Sequence, residues 1–240
     1  RRIEQRCYQV FERCFFISEN EVALFSKHLS ENDKLQVLGN GIDTTLFHPS
    51  AREEKTESPV FLFTGVMNYR PNEDAVLWFV SEVWDEIRAR WPGAEFVIAG
   101  MDPSPAVRQL ARHEGITVTG YVDDILPYYH RATVFVAPFR MARGVQNKIL
   151  QALACGLPVV TTSQGLEGIN ASRGEDVLIA ETGSDFLGAI ERLLCDSEYY
   201  HQLANAGPAL IRRYYSWASV LENLNSTLEP NLSELTEDVL

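Results

Sequence analysis

The sequence predicts an α/β fold in which a parallel sheet is covered by helices on both faces. Short apolar runs rich in β-branched residues alternate with longer amphipathic segments from residue 60 to residue 213. Such alternation is typical of strand–helix–strand units, whose strands pair in parallel. The chain has 240 residues, of which 45% are hydrophobic and 22% are charged, enough for one large or two smaller globular domains.

The first 57 residues are predicted to form short elements followed by a linker. Ser18 and Glu21 have the spacing of a capping box at the start of a helix. Gly39-Asn40-Gly41 predicts a turn, and the polar stretch 50–58 predicts the linker. The expected helices are 1–14 and 19–29, and the expected strands are 15–17 and 35–38.

The alternation becomes regular from residue 58 onward. Strands are expected at 60–64, 95–99, 116–119, 133–137, 158–162 and, more weakly, 177–180. Helices are expected at about 72–90, 104–113, 123–130, 146–154, 183–195 and 197–213. The last ten residues include Glu234, Glu237 and Asp238 and are expected to form a solvated acidic tail.

Charge and cysteine content exclude several classes of function. The net charge of −12 argues against general nucleic-acid binding, which needs a basic face. The spacing of the four cysteines matches neither a zinc ribbon nor a CxxC pair, so we expect reduced thiols. The four residues are Cys7, Cys14, Cys155 and Cys195. No apolar run approaches the roughly 20 residues that span a bilayer. The chain begins with Arg1-Arg2, which we interpret as a piece of a longer protein.

The stretch from Pro138 to Thr162 carries the densest chemical signal. It predicts a loop, an amphipathic helix that begins near Gln146, and a buried strand. Gly156 suits a left-handed cap at the end of that helix. Cationic side chains beside a helix N-terminus favour an anionic ligand, so the segment predicts a phosphate site. Its candidate residues are Arg140, Arg143, Gly144, Gln146, Asn147, Lys148 and Gln151.

Three further loops follow predicted strands, where parallel sheets bind ligands. The first contains Gly65 and Arg70, with Asn72 as a candidate helix cap. The second contains Gly100, and the third contains Tyr121 and Val122, followed by Asp123 as another candidate cap. The first two loops also fit plain turns, and Lys148 also fits a solvated helix lysine, so these alternatives stay open.

Four motifs together resemble one family of enzymes. They are LGNGIDTTLFHP, FTGVMNYRPNEDAVLWF, VTGYVDDILPYYHRATVFVAP and ARGVQNKILQALACGLPVV, in that order. The sequence is similar to retaining GT-B glycosyltransferases of family 4 (group 1). Within that family it resembles the sugar transferases associated with exopolysaccharide and PEP-CTERM gene clusters.

The resemblance implies the C-terminal half of a GT-B fold. Residues 1–57 would end the N-terminal domain and form the crossover and linker. Residues 58–240 would form a Rossmann-like domain that binds the nucleotide-sugar donor, with an acidic tail. The acceptor half would be missing, so we expect this chain to be inactive alone. We further expect a bacterial, cytoplasmic enzyme at the inner face of the membrane, with any membrane contact made by the missing half.

The resemblance also implies roles for the candidate residues. Arg143 and Lys148 would stabilise the departing diphosphate as catalytic cations. The other candidates would bind the donor: Gly65, Arg70, Gly100, Tyr121, Val122, Arg140, Gly144, Gln146, Asn147 and Gln151. Relatives commonly place two glutamates at the positions of Arg143 and Gln151, and the second glutamate binds the ribose hydroxyls. Gln151 is uncharged, so it would lack the charge-assisted hydrogen bond that a glutamate makes to a ribose hydroxyl.

The implied reaction moves a hexose from a nucleotide-sugar to a glycan or lipid-linked acceptor, without a metal or another cofactor. Two alternatives stay open. One is a degenerate nucleotide-binding module, which Gln151 favours. The other is an enzyme like the nucleotide-sugar 2-epimerases.

Overall fold

The computed structural model describes residues 2–29, 32–50, 58–222 and 224. In the N-terminal part, β1 (Cys14–Phe16) and β2 (Leu35–Val37) form a small parallel sheet beside α1 (Arg2–Val10) and α2 (Glu19–Ser26). The Ser18 hydroxyl accepts the Glu21 N–H at 3.3 Å, as predicted. The Glu21 carboxylate accepts the N–H of Ile17 instead of Ser18. Most of the predicted linker, 51–57, and the acidic tail lie outside the described residues.

The main sheet confirms the predicted fold class. Its strands are β3 (Val60–Thr64), β4 (Glu95–Ala99), β5 (Ile116–Gly120), β6 (Val134–Ala137), β7 (Val159–Thr161) and β8 (Leu178–Ile179). They pair in parallel in the order β5-β4-β3-β6-β7-β8. Strands β4 and β5 follow β3 on one side of the sheet, and strands β6, β7 and β8 follow it on the other side. This is the Rossmann strand order.

Helices flank this sheet at nearly the predicted positions. They are α3 (Arg70–Phe79), α4 (Asp85–Arg90), α5 (Pro105–Leu110), α6 (Leu126–Arg131), α7 (Asn147–Ala154), α8 (Gly183–Cys195) and α9 (Ser197–Tyr214). A π-helical segment, Val80–Trp84, joins α3 to α4. The helix predicted at 72–90 is therefore unbroken, but its middle is π-helical instead of α-helical.

Two predicted helix caps are wrong. Helix α3 begins two residues before Asn72, and Tyr69 is its N-cap, so Asn72 lies buried in the first turn. Pro71, the second residue of this helix, fits that early start, because a first turn tolerates proline. Helix α6 begins at Leu126, and Asp124 instead of Asp123 accepts the Leu126 N–H, at 2.9 Å.

The end of α7 confirms the predicted glycine cap. Gly156 has φ of 64°, a left-handed conformation in which a Cβ is disfavoured. Its N–H donates to the Leu153 carbonyl, and the Leu157 N–H donates to the Ala152 carbonyl, both at 3.0 Å. This pair of bonds is the Schellman motif, which ends α7 and directs the chain into β7.

The N-terminal residues pack against the main domain near the start of α7. The Asn40 side chain donates to the Asn147 side-chain oxygen at 2.8 Å. Ile42 forms a parallel bridge with Ser216, and the His48 carbonyl lies 2.9 Å from the His130 ring nitrogen. The turn predicted at residues 39–41 does not form, since these residues follow β2 as irregular chain, but the segment brings an amide side chain to the beginning of α7.

Candidate functional site

A cleft of about 460 Å³ opens where the central strands end. It lies at the carboxyl ends of β3, β4 and β5 and at the N-terminus of α7, which follows β6. Because β3 and β6 are neighbours whose connections leave in opposite directions, this is the switch point of the sheet, where such folds bind ligands. The predicted site residues that line it are Gly65, Gly100, Tyr121, Val122, Gln146, Asn147, Lys148 and Gln151.

Two glycines allow the loops of the cleft to touch. A Cβ on Gly100 would lie 1.8 Å from the carbonyl oxygen of Gly65. A Cβ on Gly65 would lie 2.6 Å from the Lys148 ammonium. Both glycines have positive φ, 154° at Gly65 and 143° at Gly100. The loops after β3 and β4 therefore require glycine at both positions, and Gly65 leaves its space to the Lys148 side chain.

Lys148 brings a cation into this cleft. Its ammonium donates to the Asn72 side-chain oxygen at 2.6 Å and lies 4.6 Å and 5.3 Å from the ring centres of Phe63 and Phe139. No ion pair of Lys148 occurs among the described residues. Burial lowers the pKa of Lys148 to about 7, because the apolar surroundings disfavour the charged form.

Asn72 holds Lys148 in place, a role that the sequence did not reveal. Its amide nitrogen donates to the Val66 carbonyl at 2.9 Å, which leaves its oxygen to accept from Lys148. The first turn of α3 thus fixes the ammonium against the loop that follows β3. The prediction of Asn72 as a helix cap concealed this contact, which depends on two elements distant in sequence.

Gln151 contacts a buried tyrosine that was also missed. The Tyr129 hydroxyl donates to the Gln151 side-chain oxygen at 3.0 Å and lies 2.8 Å from the Thr64 hydroxyl. Tyr129 is fully buried, and its ring packs against Phe47 and Phe135. Burial raises the pKa of Tyr129, so its hydroxyl stays protonated and is available as a donor.

Four predicted site residues do not line the cleft. Arg140 forms a two-bond ion pair with Asp74 of α3, in which the Nε–Oδ2 distance is 3.0 Å. Arg70 and Arg143 are exposed. The carbonyls of Arg143 and Gly144 accept from the Gln146 side chain at 3.4 Å and 3.2 Å. The structure therefore brings Lys148, but neither Arg140 nor Arg143, to the cleft wall.

The described residues that line the cleft include one lysine and no carboxylate. The described part of the chain has no group of three or more His, Cys, Asp or Glu side chains that could hold a metal ion. Within the same residues, no helix is both long and apolar enough to span a membrane. An ammonium beside the N-terminus of α7 is suited to binding an anion.

A known protein family matches the main domain of the chain. The family model for glycosyl transferases group 1 matches residues 58–196. The match includes every residue that lines the cleft and more than half of the chain. The chain belongs to the group 1 glycosyl transferases. No curated protein sequence matches it significantly.

Solved glycosyltransferases share the fold of this group 1 domain. Anabaena HepE, solved with UDP and glucose, is 14% identical with a TM-score of 0.73 over 93% of this chain and 64% of HepE. Sucrose-phosphate synthase from Thermosynechococcus elongatus is 19% identical with a TM-score of 0.71 over 92% of this chain and 58% of the synthase. The C-terminal domain of Francisella tularensis LpcC is 16% identical with a TM-score of 0.59, and it is covered completely by 74% of this chain.

The chain spans 64% of the length of HepE and 58% of the length of the sucrose-phosphate synthase. These similarities support a GT-B glycosyltransferase with a Rossmann-like domain. The LpcC structure consists of one such domain alone.

Proposed function

We propose that this protein is a retaining glycosyltransferase of family 4 that moves a hexose from a nucleotide-sugar donor to a glycan or lipid-linked acceptor. The described domain binds the donor, and the acceptor is bound by a further domain. The branch that we propose is the bacterial one that makes exopolysaccharide, with the enzyme in the cytoplasm at the inner face of the membrane. The reaction needs neither a metal nor another cofactor.

The placement of Lys148 carries this proposal. Its ammonium lies at the switch point of the sheet, close to Gly65 and at the start of α7, without a carboxylate to neutralise it among the described residues. The N-cap Gln146 makes no side-chain cap bond, so α7 presents its N-terminus uncapped by that side chain. A diphosphate offers the charge that both features favour.

Solved proteins of this fold add independent support. HepE has been solved with UDP and with UDP-glucose. By analogy, the diphosphate of a nucleotide-sugar would lie against Gly65 and Lys148, and the ribose would lie near Gln151. Lys148 would then offset the charge that develops on the leaving diphosphate. Arg143 remains a proposed second cation, because it is exposed in the loop that precedes α7.

A second candidate is a nucleotide-binding module without turnover. Gln151 favours it, because a glutamine whose oxygen already accepts from Tyr129 offers less to a ligand than a carboxylate does. The structure gives the epimerase alternative no such support, since the lining residues that are described include neither an acid–base carboxylate nor a histidine.

Turnover of a nucleotide-sugar by the protein with its N-terminal half distinguishes these candidates. A glycosyltransferase should release nucleoside diphosphate from UDP-glucose, GDP-mannose or ADP-glucose, slowly to water and faster with an acceptor. NMR of the first product should show the anomeric configuration of the donor. Tight nucleotide binding with no release in any condition would favour the binding module. The 240-residue chain alone should bind nucleotide and transfer no sugar, because catalysis needs both faces of the cleft.

A further inference from the structure

The loop that carries Arg143 is held by side chains that lie outside the cleft. This loop, residues 138–146, joins β6 to α7, and Arg143 is exposed in it. Among the described residues Arg143 forms no ion pair, whereas Arg140 of the same loop is paired with Asp74. The loop therefore presents a charge that no described carboxylate neutralises, three residues before the N-cap of α7, Gln146.

Both peptide groups that flank Arg143 are bonded to glutamine side chains. The carbonyl of Ala142, in the peptide group before Arg143, accepts from the Gln164 amino group at 3.0 Å. The carbonyl of Arg143, in the peptide group after it, accepts from the Gln146 amino group at 3.4 Å. Because each peptide group is planar, holding both of them restricts φ and ψ of Arg143. The backbone of Arg143 is thus fixed while its side chain is exposed.

Glu167 determines which end of the Gln164 amide faces the loop. The Gln164 amino group also donates to the Glu167 carboxylate, at 2.8 Å, so both of its N–H groups are used. The other Glu167 oxygen accepts from Asn20 of α2 at 3.4 Å. A reversed Gln164 amide would turn its oxygen toward the Glu167 carboxylate and the Ala142 carbonyl, which can only accept. Glu167 therefore keeps Gln164 in the orientation that bonds to the loop.

We propose that Glu167 is a positioning residue for the nucleotide-sugar: through Gln164 it fixes the backbone from which Arg143 reaches the diphosphate. This proposal rests on the proposed function, in which Arg143 is the second cation. Neither Glu167 nor Gln164 is among the described residues that line the cleft. With the backbone fixed in advance, only the Arg143 side chain loses freedom when the diphosphate binds, which lowers the entropic cost of binding.

Titration calorimetry of UDP, GDP and ADP with the 240-residue chain tests the proposal. For the nucleotide that binds, Arg143→Ala should weaken affinity by about tenfold, as expected for a charged contact to phosphate. Glu167→Ala and Gln164→Ala should each weaken it by about three- to fivefold, because the Arg143 side chain is kept but its backbone is loosened. Glu167→Gln should bind within about twofold of the unaltered chain, because its side-chain oxygen can still accept from Gln164.

The sign of the effect distinguishes positioning from a change of charge. Removing a carboxylate should by itself favour the binding of an anion, so a loss of affinity in Glu167→Ala is opposite to the Coulomb effect. Glu175→Ala is the matched control, because Glu175 is exposed and is not among the described residues that line the cleft. The nucleotide affinity of this control should be unchanged or slightly higher.

A double-mutant cycle separates positioning from a general loss of structure. In the Arg143→Ala background, Glu167→Ala should weaken binding no further, because its effect passes through Arg143. Damage to the fold would weaken binding equally in both backgrounds, and that result would overturn the proposal. If Glu167→Ala does not fold, the same cycle with Gln164→Ala decides the question.

The outcomes also separate this proposal from the proposed function. Unchanged affinity in Glu167→Ala or in Arg143→Ala would overturn the proposal and leave the donor site at Lys148 intact. No binding of UDP, GDP or ADP to the folded chain would overturn the proposed function itself.

Discussion

The Lys148 ammonium donates a 2.6 Å hydrogen bond to the Asn72 side-chain oxygen, across the junction of α7 and α3. This contact holds a lysine of low pKa in a cleft whose described lining contains no carboxylate. A protein that buries a cation without a counter-ion bears a free-energy cost. The arrangement is explained if a bound anion supplies the missing charge.

The pH dependence of nucleotide binding should report on Lys148. Its pKa is about 7 in the empty cleft, and a bound diphosphate would raise that pKa by stabilising the charged form. Affinity for the diphosphate should therefore be highest below pH 7 and weaken as the pH rises, by up to about tenfold per pH unit. Calorimetry between pH 7 and 9.5, above the phosphate titration near about pH 6, measures this slope. Lys148→Met should abolish it, and an equal slope in that variant would assign the titration to another group.

The contribution of Lys148 to the free energy of unfolding should rise with pH, whereas the nucleotide affinity falls. A lysine titrates near about 10.4 when unfolded, and Lys148 titrates near 7 when folded. Between these values the unfolded chain binds the extra proton, so the stability that Lys148 contributes rises with pH. The free energy of unfolding of Lys148→Met, measured relative to that of the unaltered chain, should therefore be higher at pH 6 than at pH 9 by about 1–3 kcal/mol. Urea denaturation at both pH values measures this difference, and a pH-independent difference would contradict the low pKa.

Arg140 is expected to stabilise the loop before α7 through Asp74. Arg140→Gln and Asp74→Asn should each lower the free energy of unfolding by about 0.5–1 kcal/mol, because the Arg140 side chain is 53% exposed and such pairs are weak. Nucleotide affinity should change less than about twofold. A tenfold loss of affinity in Arg140→Gln alone would instead support the donor-binding role that the sequence suggested.

The contact between Gly100 and Gly65 should tolerate no side chain. In Gly100→Ala the new Cβ would meet the Gly65 carbonyl at 1.8 Å, so the loop must move. We expect a loss of about 2–4 kcal/mol in unfolding free energy and the loss of nucleotide binding. Gly188→Ala is the control, because a Cβ there, within α8, would meet nothing within 4 Å. That variant should gain up to about 1 kcal/mol and bind normally.

The sequence predicted the secondary structure of the main domain well and the side-chain contacts of the cleft poorly. Runs such as Val60–Thr64 and the glycine at residue 156 determine their structure locally, through burial and φ, so pattern alone located β3 and the end of α7. Asn72 and Tyr129 are different, because their partners Lys148 and Gln151 are 76 and 22 residues away. A single sequence contains no local sign of such pairs.

Arg140 shows the converse error. A cation in a loop before a helix N-terminus fits a phosphate site, but the structure engages it with Asp74, 66 residues away. Local chemistry could not distinguish a charge available to a ligand from one already paired within the protein.

Calorimetric titration of nucleoside diphosphate into the folded 240-residue chain and its Lys148→Met variant tests the central claim most directly. Met has similar length and no charge, and Lys27→Met, at the end of α2, controls for the loss of a positive charge elsewhere. A charged contact to phosphate is worth about 1.5–3 kcal/mol, so Lys148→Met should weaken binding by about tenfold or more while Lys27→Met leaves it unchanged. Equal affinity in all three proteins would show that the ligand does not bind at this cleft.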